Sequence, residues 1–192
     1  MYLTPDQGKA LVSIARTAVE QAAEGGEPAF GHGAPPRQRF LEAKRGAFVT
    51  LSTLEGQLRG CIGFPYPFKP LGEAVFESAV GAATRDPRFP RVEPRELASL
   101  RVEVSALTQP EEVAGSPEAR PRSVRVGRDG LMIVSRGGGG LLLPQVGVEL
   151  GVGPEEFLSL TCEKAGLPPD SWLRPEVRVL RFQAEVFCEA PP

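Results

Sequence analysis

The chain has 192 residues, 41% hydrophobic and 24% charged, with a formal net charge of −2. That composition suits one soluble domain or two small lobes burying roughly 70% of the unfolded surface. It supplies no basic footprint for nucleic acid and no polybasic anchor for a membrane.

No apolar run approaches the ~20 residues a bilayer span requires, and no signal-peptide core follows Met1. Cys61, Cys162 and Cys188 are odd in number, far apart and without a Cys-x-x-Cys pair. This argues for a reducing cytoplasm and against a disulfide framework or a zinc site. With one histidine and three scattered cysteines, neither a protein-ligated metal nor a cofactor is expected. The excess of Arg over Lys, the absence of Asn and the abundant Pro fit a GC-rich, thermophilic source.

In chain order, Thr4-Pro5-Asp6-Gln7 predicts a helix start, with Thr4 as N-cap, Pro5 at the first position and Gln7 closing a capping box. Leu11, Ile14, Ala15, Ala18, Val19 and Ala22 form its apolar stripe, and Gly25-Gly26 end it. Residues 27–39 read as an irregular loop. The runs 46–54 and 57–63 read as two strands joined by Glu55-Gly56, a hairpin at about 47–63. Its expected register sets Thr53 opposite Leu58, Leu51 opposite Gly60 and Val49 opposite Ile62.

Leu71–Thr84 has the spacing of an amphipathic helix that Pro87 and Pro90 prevent from continuing. Arg101–Thr108 alternates as a strand with Val102, Val104 and Ala106 on one face. Residues 109–122 read as loop, followed by short strands at Ser123–Val126 and Leu131–Ser135 and a hairpin through Gly137–Gly140 to Leu141–Leu143. Pro154–Ala165 predicts a helix closed by Gly166, and Val177–Glu189 a final strand. Grouped strands without regular βαβ alternation favour α+β over a doubly wound sheet.

The chemistry concentrates in Gln57-Leu58-Arg59-Gly60-Cys61-Ile62-Gly63. Two apart on a strand, Arg59 and Cys61 project to the same side, opposite Leu58 and Ile62. A guanidinium there favours thiolate over thiol, and Gly60 and Gly63 leave room for a ligand or a second backbone. A buried strand thiol flanked by packing glycines is the plainer reading of the same residues.

Leu58-Arg59-Gly60-Cys61-Ile62-Gly63 resembles the signature hexapeptide of the AMMECR-one domain family. Phe48-Val49-Thr50-Leu51 precedes it as in the family, and Ala82-Ala83-Thr84-Arg85-Asp86-Pro87-Arg88-Phe89-Pro90 is similar to the family's Asp-Pro-Arg-Phe-Pro block. Val104-Ser105, Leu142-Leu143-Pro144-Gln145-Val146 and Lys164-Ala165-Gly166-Leu167 with Trp172 follow in order. The resemblance spans roughly residues 40–189. It implies one domain over residues 1–192, with a larger and a smaller lobe, antiparallel sheet, and the signature near the groove between them. It implies a cytoplasmic protein without a settled activity. Partners implied by gene fusion and neighbourhood are a Memo-type protein or a radical-SAM enzyme.

The remaining candidates have plainer counterparts. His32, in a Gly/Pro-rich loop, is read as an exposed histidine rather than a catalytic base. Gly137–Gly140 lacks the Gly-Lys-Ser/Thr ending of a phosphate loop and reads as a flexible hairpin tip. Arg85, Asp86 and Arg88 either serve the helix end and one another, or join Cys61 in an anion pocket. Gln145 is a further pocket candidate, and Cys162 and Cys188 read as core thiols. Two functions stand side by side. One is a binding or pathway-partner domain with a groove around Cys61 and Arg59. The other is an enzyme using Cys61 as nucleophile on a small anionic substrate held by Arg59, Gly60, Gly63, Arg85, Asp86, Arg88 and Gln145.

Overall fold

The computed structural model describes residues 2–25, 28–30, 38–136 and 138–189. His32 and Gly137 therefore lie outside the described residues. The fold is α+β with two open antiparallel sheets. The chain divides into two compact units, 1–107 with 185–192, and 108–184.

In the first unit, helix α1 (Pro5–Ala23) begins with the expected capping box between Thr4 and Gln7. Its alanine-rich stripe packs against α3 (Leu71–Thr84). A one-turn helix, α2 (Arg39–Glu42), ends the loop before the hairpin. Strands β1 (Ala47–Thr53), β2 (Leu58–Phe64), β3 (Leu100–Leu107) and β8 (Ala184–Cys188) form a sheet of order β2-β1-β3-β8. Val49, Leu51, Val102, Val104 and Ala106 turn one face of it to the helices, all of them fully buried. Each such valine or leucine withdrawn from water contributes about 1.5–3 kcal/mol.

Two arginines fasten β8 to the rest. Arg45, 7% exposed, ion-pairs with Glu185 while its Nε donates to the Leu107 carbonyl at 2.6 Å. Arg16 pairs with Glu189 and also donates to the carbonyls of Leu97 (3.1 Å) and Leu100 (2.8 Å).

The second unit is a sheet of order β4-β7-β5-β6, from β4 (Glu111–Glu112), β7 (Arg178–Phe182), β5 (Gly130–Ser135) and β6 (Gly138–Leu142). Its helices are α4 (Arg120–Ser123), α5 (Pro144–Glu149) and α6 (Pro154–Lys164). The core gathers Leu131, Ile133, Phe157, Leu158, Cys162 and Val179.

Several local expectations are corrected. Gly138–Gly140 is strand rather than a loose tip, because the end of α6 passes so close that a Cβ on Gly140 would lie 2.6 Å from the Ala165 nitrogen. The strand expected at Ser123–Val126 is replaced by the end of α4 and a turn capped by Asp129, which accepts from the Arg125 N–H at 2.9 Å. The single last strand is two, β7 and β8, broken at Gln183, whose N–H goes to the Thr108 hydroxyl.

Candidate functional site

Strand β2 is an edge strand, and what covers that edge defines the site. From Ala47 opposite Phe64 to Leu51 opposite Gly60 the hairpin register is the expected one. It then slips, so that Ser52 and not Thr53 faces Leu58, leaving Arg59 as an extra residue in β2. Such a bulge re-aims the side chain it carries.

The Arg59 guanidinium is fully engaged. Its Nε and Nη2 grip the Glu96 carboxylate at 2.8 and 3.1 Å, and Nη1 donates to the Pro90 carbonyl at 2.9 Å. Glu96 is held below the usual carboxylate range chiefly by this hydrogen bond. Glu96 lies in the 3-10 turn Pro94–Ser99, so the bulged arginine fastens the connection after α3 to the sheet edge.

Two residues on, the Cys61 N–H points away from β1 and donates to Asp86 Oδ2 at 2.8 Å. Asp86 is 4% exposed and accepts four hydrogen bonds. Beyond Cys61 they come from the backbone N–H of Arg88 (3.1 Å), its Nε (2.9 Å) and its Nη2 (2.7 Å). The Arg88 hydrogen bond is the main cause holding the Asp86 carboxyl far below its ordinary value, against the opposing effect of burial. Asp86 thus closes the open edge of the sheet at Cys61, where an unpaired strand would otherwise offer a template to another chain.

The glycines are occupied by the protein itself. A Cβ on Gly60 would lie 2.3 Å from the Ala82 carbonyl oxygen of α3, and one on Gly63 would lie 2.3 Å from the Phe48 ring. Helix and strand approach at Gly60 because no side chain intervenes.

Cys61 is half-buried, and its Sγ receives a hydrogen bond from the Thr50 hydroxyl at 3.4 Å. Thr50 lies opposite Cys61 on one side and opposite Glu103 of β3 on the other. Glu103 in turn accepts from the Cys188 thiol at 3.3 Å. A row Cys61, Thr50, Glu103, Cys188 therefore crosses the sheet on the face away from the helices. Glu103 and Glu96 are the residues that sequence reasoning missed. The alternation placing Val102 and Val104 inward also puts Glu103 on the Thr50 face, a signal present in the sequence. Nothing local predicts the pairing of Arg59 with Glu96, 37 residues away.

Cys188 corrects the expectation of a core thiol: it is exposed on the last strand, while Cys162 is fully buried. Partial desolvation of its Sγ within an otherwise exposed residue, aided by the hydrogen bond to Glu103, pushes the Cys188 thiol up to about 11. Arg85 is exposed and its Nη2 donates to the Glu77 carbonyl at 3.3 Å. Asp86, Arg88 and Cys61 are thus brought together, whereas Arg59 and Arg85 turn to other partners. Gln145 belongs to the second unit, half-buried in α5. Among the described residues no group of three or more His, Cys, Asp or Glu is disposed to hold a metal ion, and no helix is long and apolar enough to cross a membrane.

Comparison with known proteins agrees over the whole chain. A protein of Thermococcus gammatolerans is 51% identical over 100% of this chain and 95% of its own length. One of Methanothermobacter thermautotrophicus is 51% identical over 97% and 96%. The crystal structure of the uncharacterized protein PH0010 from Pyrococcus horikoshii superposes with a TM-score of 0.87 at 47% identity, covering 99% of this chain and 95% of that one. The family pattern described as AMMECR1 matches residues 12–187, a span containing the bulged strand, its Asp86 clamp and all but the last residue of the two sheets, and the chain belongs to that family.

Proposed function

We propose that the chain is a cytoplasmic binding domain, acting over its whole length as one AMMECR-one-like domain in a pathway with a Memo-type protein or a radical-SAM enzyme. One observation carries this reading: the strong polar groups of the signature are spent inside the protein. Arg59 is closed by Glu96 and backbone carbonyls, and Asp86 by Arg88 and the Cys61 N–H. Such groups hold a surface in shape rather than turn over a substrate. What remains presented is mixed: the exposed cations Arg85 and Arg88, Leu58 beside Arg59 at 42% exposure, and, past the other end of β2, Phe68 at 75%, stacked on Tyr66. Exposed apolar side chains flanked by cations suit a protein partner. Calorimetric titration with the purified Memo-type protein and radical-SAM enzyme from the same genome tests this. Binding that weakens about tenfold or more in Leu58→Asp or Phe68→Asp and survives in Cys61→Ser supports it. No complex with either at ~10 μM overturns it.

A second reading is favoured by the row on the outer face. Among the described residues a cysteine-dependent enzyme finds no histidine base, but the Thr50 hydroxyl on Cys61 and Glu103 opposite Thr50 offer a carboxylate in its stead. Arg88, whose side chain stays 54% exposed although it grips Asp86, is the cation available to an anionic substrate. Iodoacetamide labelling of Cys61 in the folded protein, slowed about tenfold by Glu103→Gln, would favour this reading over the first. Labelling only after unfolding would exclude it.

A further inference from the structure

The second unit carries a local reversal of the chain's slightly acidic charge. From Arg120 to Arg128 the sequence holds four arginines and no acid, against a net charge of −2 for the whole. Arg120 is buried, its Nη1 on the Trp172 carbonyl. Arg122, Arg125 and Arg128 are exposed, and Arg122 and Arg125 form no ion pair among the described residues. The carboxylate that follows them, Asp129, is 3% exposed. It is spent on the fold, accepting from the Arg125 N–H at 2.9 Å and from the Gln183 side-chain amide at 3.4 Å.

Helix α5 packs against the turn that presents these arginines. The turn closes with the N–H groups of Arg128 and Asp129 on the Arg125 carbonyl, at 3.1 and 2.8 Å. A Cβ on Gly127 would lie 2.9 Å from Val148 Cγ2, and one on Gly147 would lie 2.6 Å from Val126 Cγ1. Val148 is therefore set against the bend between Arg125 and Arg128. It is nonetheless 62% exposed, and Leu150, two residues on, is 59% exposed. One bare aliphatic side chain on a surface is ordinary. Two at the end of one helix, against a turn bearing unpaired cations, bring apolar and cationic contacts to a single place.

We propose that this face binds an acidic amphipathic segment of a partner protein, its apolar side chains on Val148 and Leu150 and its carboxylates on Arg125 and Arg122. Charge complementarity names the occupant, since a carboxylate can take two parallel hydrogen bonds from one guanidinium. A nucleic acid suits the face less well. It would leave the two aliphatic side chains uncovered, and they offer no ring on which a base could stack. The exposed Glu149 between them opposes any anion and so gives the test a second lever. This surface is additional to Leu58 and Phe68, which belong to the first unit.

The probe is a synthetic peptide of Glu-Leu-Leu-Glu repeats long enough for three helical turns, titrated into the intact chain and followed by backbone amide NMR. A dissociation constant of about 100 μM is expected, rising with salt, with shifts centred on residues 122–128 and 146–151. Peptides with Gln for Glu or Ser for Leu, and an oligothymidylate of equal length, should each bind at least about tenfold more weakly. Arg125→Gln should weaken the peptide about threefold and Val148→Ser about fivefold, while Glu149→Gln should tighten it about twofold. All three changes fall on exposed residues, and unchanged urea midpoints would show that the fold is kept. No shift at ~1 mM peptide, equal binding of the Gln peptide or the oligothymidylate, or unchanged affinity in Arg125→Gln and Val148→Ser would each overturn it. The peptide assay reads Arg125 and Val148 whereas the partner titration reads Leu58 and Phe68, so either proposal can fail while the other stands.

Discussion

Asp86 is a buried carboxylate held by the arginine two residues on and by the N–H of the cysteine it caps. Replacing it with Ala leaves that N–H without an acceptor and frees Arg88, a loss of about 2–4 kcal/mol measurable by urea unfolding at neutral pH. Asp86→Asn keeps one acceptor oxygen and should cost less. The pH dependence follows from the depressed carboxyl. Its stabilisation is fully present above the ordinary carboxylate value of 3.8 and drains away as pH falls below it. Wild type should therefore lose more stability than Asp86→Asn between about pH 5 and pH 2.5, and equal losses would remove the carboxylate from the account.

Gly60 makes the companion case. A methyl group there would meet a helix carbonyl at 2.3 Å, a backbone atom that cannot turn aside. Gly60→Ala should cost about 2–4 kcal/mol by forcing β2 and α3 apart. Gly56→Ala, at the hairpin turn with φ +85° and no atom within 4 Å of the added carbon, should cost only about 1 kcal/mol. Urea midpoints ordered the other way would show that the signature glycine serves something other than packing.

At the scale of elements, legibility tracks how local the determining interactions are. The capping box of α1, the apolar face of α3 and the hairpin were readable because neighbours within four residues set them. The bulge at Arg59 was not, since it is fixed by Glu96, and neither was the break at Gln183, where the alternation of Val177–Glu189 continues across a change of sheet. Helix α5 hid behind Pro144, and two-residue β4 exists only because β7 lies beside it. Of the candidate site, the cluster of Cys61, Asp86 and Arg88 was visible as residue types; the engagement of Arg59 elsewhere was not.

The fastening of β8 gives an element-scale expectation. Arg45 and Glu185 have side chains only 8% and 10% exposed, and Glu185 also accepts from the Leu3 N–H. Glu185→Ala leaves a guanidinium buried with carbonyls alone and should destabilise by about 3–5 kcal/mol, Glu185→Gln by less. Thermal unfolding of the two variants checks the order.

For the molecule as a whole, composition bounded the class and the paired sheets met the α+β expectation, each unit having a core of its own. The unit that carries the signature is discontinuous in sequence: the chain leaves it at Leu107 and returns at Glu185. During synthesis this imposes an order. At ~5–20 residues per second, β8 follows β3 out of the ribosome by roughly 4–16 s, and every residue of the second unit emerges in that interval. The second unit can finish first, against the usual N-terminal precedence. Meanwhile the nascent first sheet has β3 as a bare edge, and Arg45 waits without its carboxylate. The residues that seal the first-made half of the protein are thus translated only after the whole of the second unit.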